Sequence, residues 1–178
     1  MRVGLVQWQM RPYKTLDDVF EQVEFFVDAV SDYKSDFVLF PEYFNAPLMA
    51  KFNHLGEAQS IRGLAQYTEE IRERFVNLAI SYNINIITGS MPLLKEDGAL
   101  YNVGYLIRRD GSYEMYEKVH VTPDEQKSWG LSGGKMVKTF DTDCARIGVL
   151  ICYDVEFPEL SRIMADQGMQ ILLSLIHI

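Results

Sequence analysis

The sequence is poor in cysteine and has no long apolar run. It contains two cysteines, Cys144 and Cys152, so free thiols are a better interpretation than a disulfide framework. The N-terminal segment MRVGLVQWQ has too short an apolar run for the core of a signal peptide. The longest apolar stretches, such as 149–152 and 171–173, are far below the ~20 residues of a membrane helix. These features predict a cytoplasmic protein with no membrane partner.

Basic residues and the common ligand-binding motifs are also scarce. The balance of 17 basic against 25 acidic residues gives a net charge of −8, which argues against a nucleic-acid partner. The histidines at 54, 120 and 177 and the two cysteines lack the spacing of zinc ligands. GxSxG, GxxxxGK and GxGxxG motifs are absent as well. We therefore expect neither a metal nor an organic cofactor.

What the sequence does contain is an alternation of short apolar runs and amphipathic segments. Its 178 residues, 48% of them hydrophobic, suit one domain with a sizeable core. The pattern predicts strands at 3–8, 36–40, 84–88, 100–109, 112–119, 145–151 and 169–175, and helices at 15–32, 60–82 and 157–167. Thr15 and Asp18 form a capping-box pattern, and Asp110-Gly111 predicts a hairpin turn. This alternation indicates an α/β fold.

The last predicted strand, 169–175, has no helix after it to cover its apolar side. Because an uncovered apolar final strand is an aggregation hazard, we expect a chain truncated at its C-terminus. The strand should then lie at the end of a partial sheet with apolar surface exposed.

Three reactive side chains follow apolar runs that read as strands of one sheet. They are Glu42 after FVLF, Lys118 in MYEKVHV, and Cys152 directly after GVLI. Sites in open α/β sheets gather at the carboxyl ends of strands, so the three side chains should converge. The helix predicted shortly after Cys152 would favour its thiolate, whereas Cys144 lies in a turn-like segment. Taken singly, each residue also fits an ordinary role: a buried small hydrophobe, a solvated glutamate or a surface lysine.

Together, the segments resemble the nitrilase superfamily, the carbon–nitrogen hydrolases. The matching elements are FVLFPEYF, YEKVHVTPDEQKSWG and GVLICYDVEFPEL, in the family order of glutamate, lysine and cysteine. The N-terminal VGLVQWQM resembles the family's first strand. The resemblance covers residues 1–173, which we interpret as a partial hydrolase domain, and leaves 174–178 as a tail that does not match. Residues 11–42 are similar to a bacterial subgroup that is sometimes fused to an acetyltransferase domain.

The resemblance implies a four-layer α-β-β-α sandwich, incomplete at its C-terminus. It implies Glu42 as general base, Lys118 as the cation that stabilises the oxyanion, and Cys152 as nucleophile. Glu125 matches a second family glutamate that would hold Lys118 and shape the pocket. The backbone N–H of Tyr153 would complete the oxyanion hole. The absent part would supply strands, pocket wall and dimer contacts, so a homo-oligomer is expected of the full-length protein.

The function this implies is hydrolysis of a non-peptide carbon–nitrogen bond in a small amide, carbamoyl compound or nitrile. The reaction would pass through a thioester on Cys152 and need no cofactor. Two alternatives remain open at this point. One is an acyltransferase on the same scaffold, in which an amine replaces water. The other is an inactive truncated fragment or a non-catalytic interaction protein.

Overall fold

A computed structural model describes residues 1–176. The α-helices are α1 (Leu16–Asp32), α2 (Glu57–Leu64), α3 (Thr68–Ser81) and α4 (Pro158–Asp166). The strands are β1 (Val3–Leu5), β2 (Phe37–Leu39), β3 (Asn85–Ile87), β4 (Met91–Leu94), β5 (Leu100–Ile107), β6 (Tyr113–Glu117), β7 (Leu131–Ser132), β8 (Thr139–Asp141), β9 (Arg146–Ile151) and β10 (Ile171–Leu175). Tight 3₁₀ turns occupy Ala46–Phe52, Ala65–Tyr67 and Cys152–Glu156, and a π-helical turn covers Glu125–Trp129. The predicted α/β class is confirmed.

The strands form two sheets. The larger has the order β1-β2-β3-β5-β4, with β6 and β7 also paired to β5. Strands β1, β2 and β3 run parallel, and β5 is antiparallel to β3, β4 and β6. The smaller sheet has the order β10-β9-β8, with β10 parallel and β8 antiparallel to β9. Glu42 lies in the connection after β2, and Cys152 directly follows β9.

Three apolar layers hold these elements together. One layer packs α1 and α3 against the larger sheet, through residues such as Val23 and Phe75. A second lies between the two sheets and includes Phe37 and Ile147. The third joins β9 to α4 through Leu150, Leu160 and Met164. Burial of each such side chain contributes about 1.5–3 kcal/mol to the free energy of unfolding. The order helix, sheet, sheet, helix is the predicted four-layer arrangement.

Two local features follow the sequence pattern closely. The Asp18 backbone N–H donates to Thr15 Oγ1 at 3.1 Å, and the Thr15 N–H donates to Asp18 Oδ2 at 2.9 Å, so the capping box is confirmed. The β5–β6 connection is a tight hairpin in which Gly111 has a φ of +85°. A positive φ favours glycine because it has no Cβ.

Other expectations need correction. The helix predicted at 60–82 is two helices, α2 and α3, separated by the 3₁₀ turn at Ala65–Tyr67. Strands β4, β7 and β8 were not predicted from the sequence, and β1 ends at Leu5 rather than at residue 8. In β4, Pro92 hides the strand pattern because proline cannot donate a ladder hydrogen bond.

The final strand lies at an edge, as expected. Strand β10 pairs with β9 on one side, and no other strand within residues 1–176 pairs with it. Ile176, just after it, is 54% exposed. Separately, none of the helices described is both long and apolar enough to cross a bilayer.

Candidate active site

Glu42, Lys118 and Cys152 line one cavity of about 410 Å³. Glu42 follows β2, Lys118 follows β6 and Cys152 follows β9. The expectation that these strands belong to one sheet is wrong, because β2 and β6 lie in the larger sheet and β9 in the smaller one. Lys118 Nζ donates to Glu42 Oε1 at 2.8 Å, although the two residues are 76 positions apart. Lys118 is 1% exposed and Glu42 3% exposed. The predicted convergence of the three side chains is therefore confirmed as geometry.

The Lys118 ammonium is bound entirely by carboxylates. Its other acceptors are Glu125 Oε1 and Oε2, both at 2.8 Å. An ammonium has three donors, so the three oxygens use all of them. Burial opposes the charge of Lys118, but the Glu42 and Glu125 carboxylates outweigh it and raise the pKa of Lys118. Lys118 is therefore a fixed positive charge at neutral pH.

Glu125 is held from three sides. Besides Lys118, its carboxylate accepts from the Thr122 backbone N–H at 2.7 Å and from the Tyr43 hydroxyl at 3.0 Å. The Glu125 N–H donates back to Thr122 Oγ1 at 3.2 Å, at the start of the π-helical turn. Burial and the nearby carboxylates raise the pKa of Tyr43, so its hydroxyl stays a donor. The contact predicted between Glu125 and Lys118 is present.

Cys152 directly follows β9 and has a left-handed backbone, at a φ of +48°. Such a conformation is costly for a residue with a side chain and is often found at functional sites. Burial and the Glu42 carboxylate raise the pKa of the Cys152 thiol, while Lys118 opposes them. The expected preference for thiolate is therefore wrong. A 3₁₀ turn separates Cys152 from α4, which begins only at Pro158, so the helix does not decide the protonation state.

The turn after Cys152 is fixed by Asp154, which sequence reasoning missed. This carboxylate is 1% exposed and accepts from the backbone N–H groups of Val119 at 3.2 Å and His120 at 2.7 Å. Asp154 thus ties the segment that carries Cys152 to the segment that follows Lys118. An acidic residue inside a buried strand-to-helix turn was the signal that could have found it.

Tyr153, the predicted source of an oxyanion-hole N–H, lies in the same 3₁₀ turn. Its ring packs edge-on against Phe157, with centroids 5.1 Å apart. Phe157 in turn stacks on His120 at 3.6 Å. These contacts fix the backbone of the turn beside the cysteine.

The cavity has a charged floor and a mostly apolar wall. Ala46, Met49, Ile61 and Trp129 supply the wall. Trp129 packs edge-on against the Tyr43 ring at 5.5 Å. The floor carries the Lys118 cation and the Glu42 and Glu125 carboxylates. This arrangement can hold a small molecule with an apolar portion beside the sulfur.

Cys144 lies outside this site. It is an exposed free thiol in the turn between β8 and β9. Burial of its sulfur and the nearby Asp143 raise the pKa of Cys144. Within residues 1–176, no group of histidine, cysteine, aspartate and glutamate side chains has the geometry to hold a metal ion.

Proteins of known sequence resemble this chain along nearly its whole length. The sequence model described as carbon-nitrogen hydrolase matches residues 2–178. "Probable hydrolase YhcX" of Bacillus subtilis is 44% identical over 172 residues, covering 97% of this chain and 33% of the relative. Human "Omega-amidase NIT2" is 33% identical over 184 residues, covering 96% of this chain and 61% of the relative. The chain thus spans from a third to about three-fifths of the length of these relatives.

Solved structures show the same fold. The carbon-nitrogen hydrolase of Helicobacter pylori G27 superposes with a TM-score of 0.84 at 22% identity, covering 99% of this chain and 59% of that one. A mutant amidase from Nesterenkonia sp. AN1, with acrylamide joined to its active-site cysteine by Michael addition, gives 0.80 at 23% identity, covering 98% and 66%. Since the family match runs through almost every residue, the chain belongs to the carbon-nitrogen hydrolase family.

Proposed function

We propose that the protein hydrolyses small amides through a thioester on Cys152, with Glu42 as the base and Lys118 as the oxyanion-stabilising cation. The observation that carries this proposal is the buried Lys118 ammonium, held between two carboxylates next to the Cys152 thiol in one cavity. Buried ionisable groups with perturbed pKa values gather at functional sites, although purely structural networks also exist. A structural network does not require a half-buried cysteine facing an open cavity.

The protonation state of Cys152 suggests how the first step runs. The raised pKa keeps the thiol protonated at neutral pH, and the nearby Glu42 carboxylate accepts its proton as the sulfur attacks. The proton then stays inside the cluster, so no second uncompensated negative charge builds up. Attack on the amide carbonyl forms a C–S bond and places negative charge on the carbonyl oxygen. Lys118 and the N–H of Tyr153 stabilise this oxyanion.

Collapse of the tetrahedral intermediate breaks the C–N bond. Glu42 gives its proton to the departing amine or ammonia and is ionised again. It then takes a proton from water, and the resulting hydroxide attacks the thioester carbonyl. The C–S bond breaks, the carboxylic acid leaves, and the Cys152 sulfur regains the proton from Glu42. Glu125 keeps Lys118 in place through both halves of the reaction.

Relatives support an amide substrate. Human NIT2 is named an omega-amidase, and the Nesterenkonia protein is named an amidase. A carbamoyl compound or a nitrile in the cavity would contact the same side chains, Glu42, Lys118 and Cys152. Both therefore remain possible substrates under this proposal. We also propose a cytoplasmic location, which is consistent with the two free thiols. We propose no nucleic-acid or membrane partner, and a full-length protein that is a homo-oligomer. It assigns residues 1–173 to the hydrolase domain.

The test is a panel of acetamide, butyramide and propionitrile, assayed by ammonia release. Glu42→Gln keeps the size of the side chain and removes the base, so it should lower kcat by about 10²–10⁴-fold. Glu73→Gln is the matched control, because Glu73 is 72% exposed, and it should leave the rate unchanged. Loss of activity in both variants, or in neither, would contradict the proposal.

Added hydroxylamine separates hydrolysis from acyl transfer. A hydrolase should release ammonia at about the same rate with or without the amine. Faster product formation in proportion to the amine would favour the acyltransferase alternative instead. No ammonia from any member of the panel would favour the inactive-fragment alternative.

A further inference from the structure

Asn102 is a buried polar residue in the middle of an apolar strand. It lies in β5, where every residue is buried, and is itself 0% exposed. Its side-chain Nδ2 donates to Glu42 Oε1 at 3.0 Å. An ionised carboxylate only accepts hydrogen bonds, so the amide nitrogen must be the atom that faces Glu42.

Asn102 contacts Lys118 as well, through its backbone. The Lys118 N–H donates to the Asn102 carbonyl oxygen at 2.9 Å, which extends the pairing of β5 with β6 by one residue. Asn102 therefore contacts two of the three proposed catalytic residues. Its side chain bonds to Glu42, and its main chain bonds to Lys118. No other residue of β5 has a side chain that bonds to the charged cluster within the described part of the molecule.

The consequence concerns the two oxygens of Glu42. Oε1 accepts from both Lys118 Nζ and Asn102 Nδ2. Among residues 1–176, no N–H or O–H group donates to Oε2. With Oε1 occupied twice, Oε2 is the oxygen left to take the Cys152 proton.

We propose that Asn102 is a positioning residue of the reaction, which fixes Glu42 through Oε1 and presents Oε2 to Cys152. This inference rests on the proposed function, since it assigns a role to the base of that reaction. A residue that merely fills space would need only the right shape. A donor to the carboxylate must carry an N–H, and replacing it should change the pH dependence of the chemistry.

The experiment measures acylation of the 178-residue protein by p-nitrophenyl acetate as a function of pH. The probe is attacked at its carbonyl carbon by the Cys152 sulfur, and p-nitrophenolate leaves and is detected by its absorbance. Asn102→Leu keeps the approximate size of the side chain and removes the donor. Asn102→Asp keeps the shape and places a second carboxyl group against Glu42.

The acid limb is the pH range over which the acylation rate first rises with pH. In Asn102→Leu we expect this limb to move up by about one to two pH units, which corresponds to the free energy of one hydrogen bond to a charged group. Asn102→Asp should move it further in the same direction, because two carboxylates in contact do not ionise together readily. Well above the acid limb, both variants should approach the wild-type rate. A defect in packing alone would instead lower the rate at every pH.

Asn85→Leu is the matched control. Asn85 is also a buried asparagine of the larger sheet, 1% exposed, and its Nδ2 donates to Asp143 Oδ1 and to the Asp36 carbonyl oxygen, outside the cavity. The acid limb of the acylation profile of Asn85→Leu should lie at the same pH as that of the wild-type protein. An equal shift in Asn85→Leu, or no shift in a folded Asn102→Leu protein, would overturn the role of Asn102. If Asn102→Leu does not fold, the shape-preserving Asn102→Asp decides by the same criterion.

Failure of the underlying reaction gives a different result. If wild-type p-nitrophenolate release does not depend on Cys152, as judged with Cys152→Ala, the proposed function falls and the role of Asn102 falls with it. If release depends on Cys152 and on Glu42 but not on Asn102, only the inference about Asn102 is wrong.

Discussion

Lys118 leaves no donor free for a substrate oxygen, because all three of its N–H groups already face carboxylate oxygens. Two of those oxygens belong to Glu125. An oxyanion that forms beside Lys118 can therefore gain a direct hydrogen bond only by displacing one of these three contacts. We propose that Glu125 holds Lys118 in place throughout the reaction, and that losing one of its two contacts still leaves the other to hold the cation.

Glu125→Gln tests that role. The amide keeps one oxygen acceptor for Lys118 but loses the charge and the second oxygen. Loss of a charge-assisted hydrogen bond, about 1.5–3 kcal/mol, should lower kcat about 10- to 100-fold. The control is Glu117→Gln, which removes a carboxylate paired with Lys95 outside the cavity. Unchanged kcat in Glu125→Gln, or an equal loss in Glu117→Gln, would contradict the role.

The raised pKa of Cys152 also predicts how stability depends on pH. A raised pKa means that the folded chain holds the thiol proton more tightly than the unfolded chain does. This contribution is complete below the ordinary cysteine value of about 8.5 and is lost as the pH rises through the folded value. Cys152→Ser removes it, because serine does not titrate there.

The measurement is urea unfolding, at neutral and alkaline pH, of the protein that retains Cys152 and of the Cys152→Ser variant. Both should carry Cys144→Ser, because burial raises the pKa of Cys144 as well. The stability advantage of the protein that retains Cys152 should shrink as the pH rises past the ordinary cysteine value. A growing advantage would mean that the thiol is stabilised as thiolate in the folded state, contrary to the account.

At the scale of elements, the 3₁₀ turn Cys152–Glu156 is the part on which the site depends most. Cys152 holds a strained φ of +48° there. Asp154 accepts hydrogen bonds from Val119 and His120, on the segment that follows Lys118. One buried carboxylate therefore joins the end of β9 in the smaller sheet to the end of β6 in the larger sheet.

Asp154→Asn should weaken this link. The amide can accept with only one oxygen, and its NH₂ group would face backbone N–H donors. We expect a loss of about 1–3 kcal/mol in the free energy of unfolding, together with slower acylation of Cys152. Asp141→Asn, which removes an exposed partner of Arg146 in the smaller sheet, should change either quantity very little. Chemical denaturation and p-nitrophenyl acetate kinetics measure the two effects. Equal behaviour of the two variants would contradict the importance of Asp154.

Periodic elements were predictable from the sequence, and irregular ones were not. Helix α1 has a clear apolar stripe and a capping box, so both its existence and its start could be predicted. Strand β4 is four residues long and contains Pro92, which masks its pattern. The π-helical turn at Glu125–Trp129 depends on tertiary contacts to Lys118 and Tyr43 that no local pattern contains.

The candidate site divides in the same way. Glu42, Lys118 and Cys152 each follow an apolar run, but they could be named together only because their three motifs resemble those of the nitrilase superfamily. Asn102 and Asp154 contact partners far away in the chain, so no local pattern contains these contacts. Those of Asn102 form within the larger sheet, and those of Asp154 form only once the two sheets are packed together. The protonation of Cys152 was predicted with the wrong sign, because burial and Glu42 outweigh Lys118 and the α-helix begins only at Pro158.

For the whole molecule, the site depends on the packing of two sheets. Glu42 and Lys118 come from the larger sheet and Cys152 from the smaller one. The apolar layer between the sheets, which includes Leu106 and Leu173, sets their separation. The position of Cys152 relative to Glu42 and Lys118 is thus a property of the packed fold rather than of any single segment.

The chain also spans only part of its relatives, covering 33% of YhcX and 61% of human NIT2. Even so, the cavity residues named here all lie within residues 42–152. We therefore propose that the residues for the acylation step lie within this chain, and that substrate preference depends on the whole protein. A test of acylation is accordingly more direct than a test of any one natural substrate.

The most direct measurement is mass spectrometry of the protein after brief reaction with p-nitrophenyl acetate and quenching in acid. The account predicts one acetyl group per chain, located by peptide mapping on Cys152, and none in the same time on Cys144 or on Cys152 of the Glu42→Gln variant. Acetylation of both cysteines at equal rates, or of Cys152 independently of Glu42, would contradict the central claim.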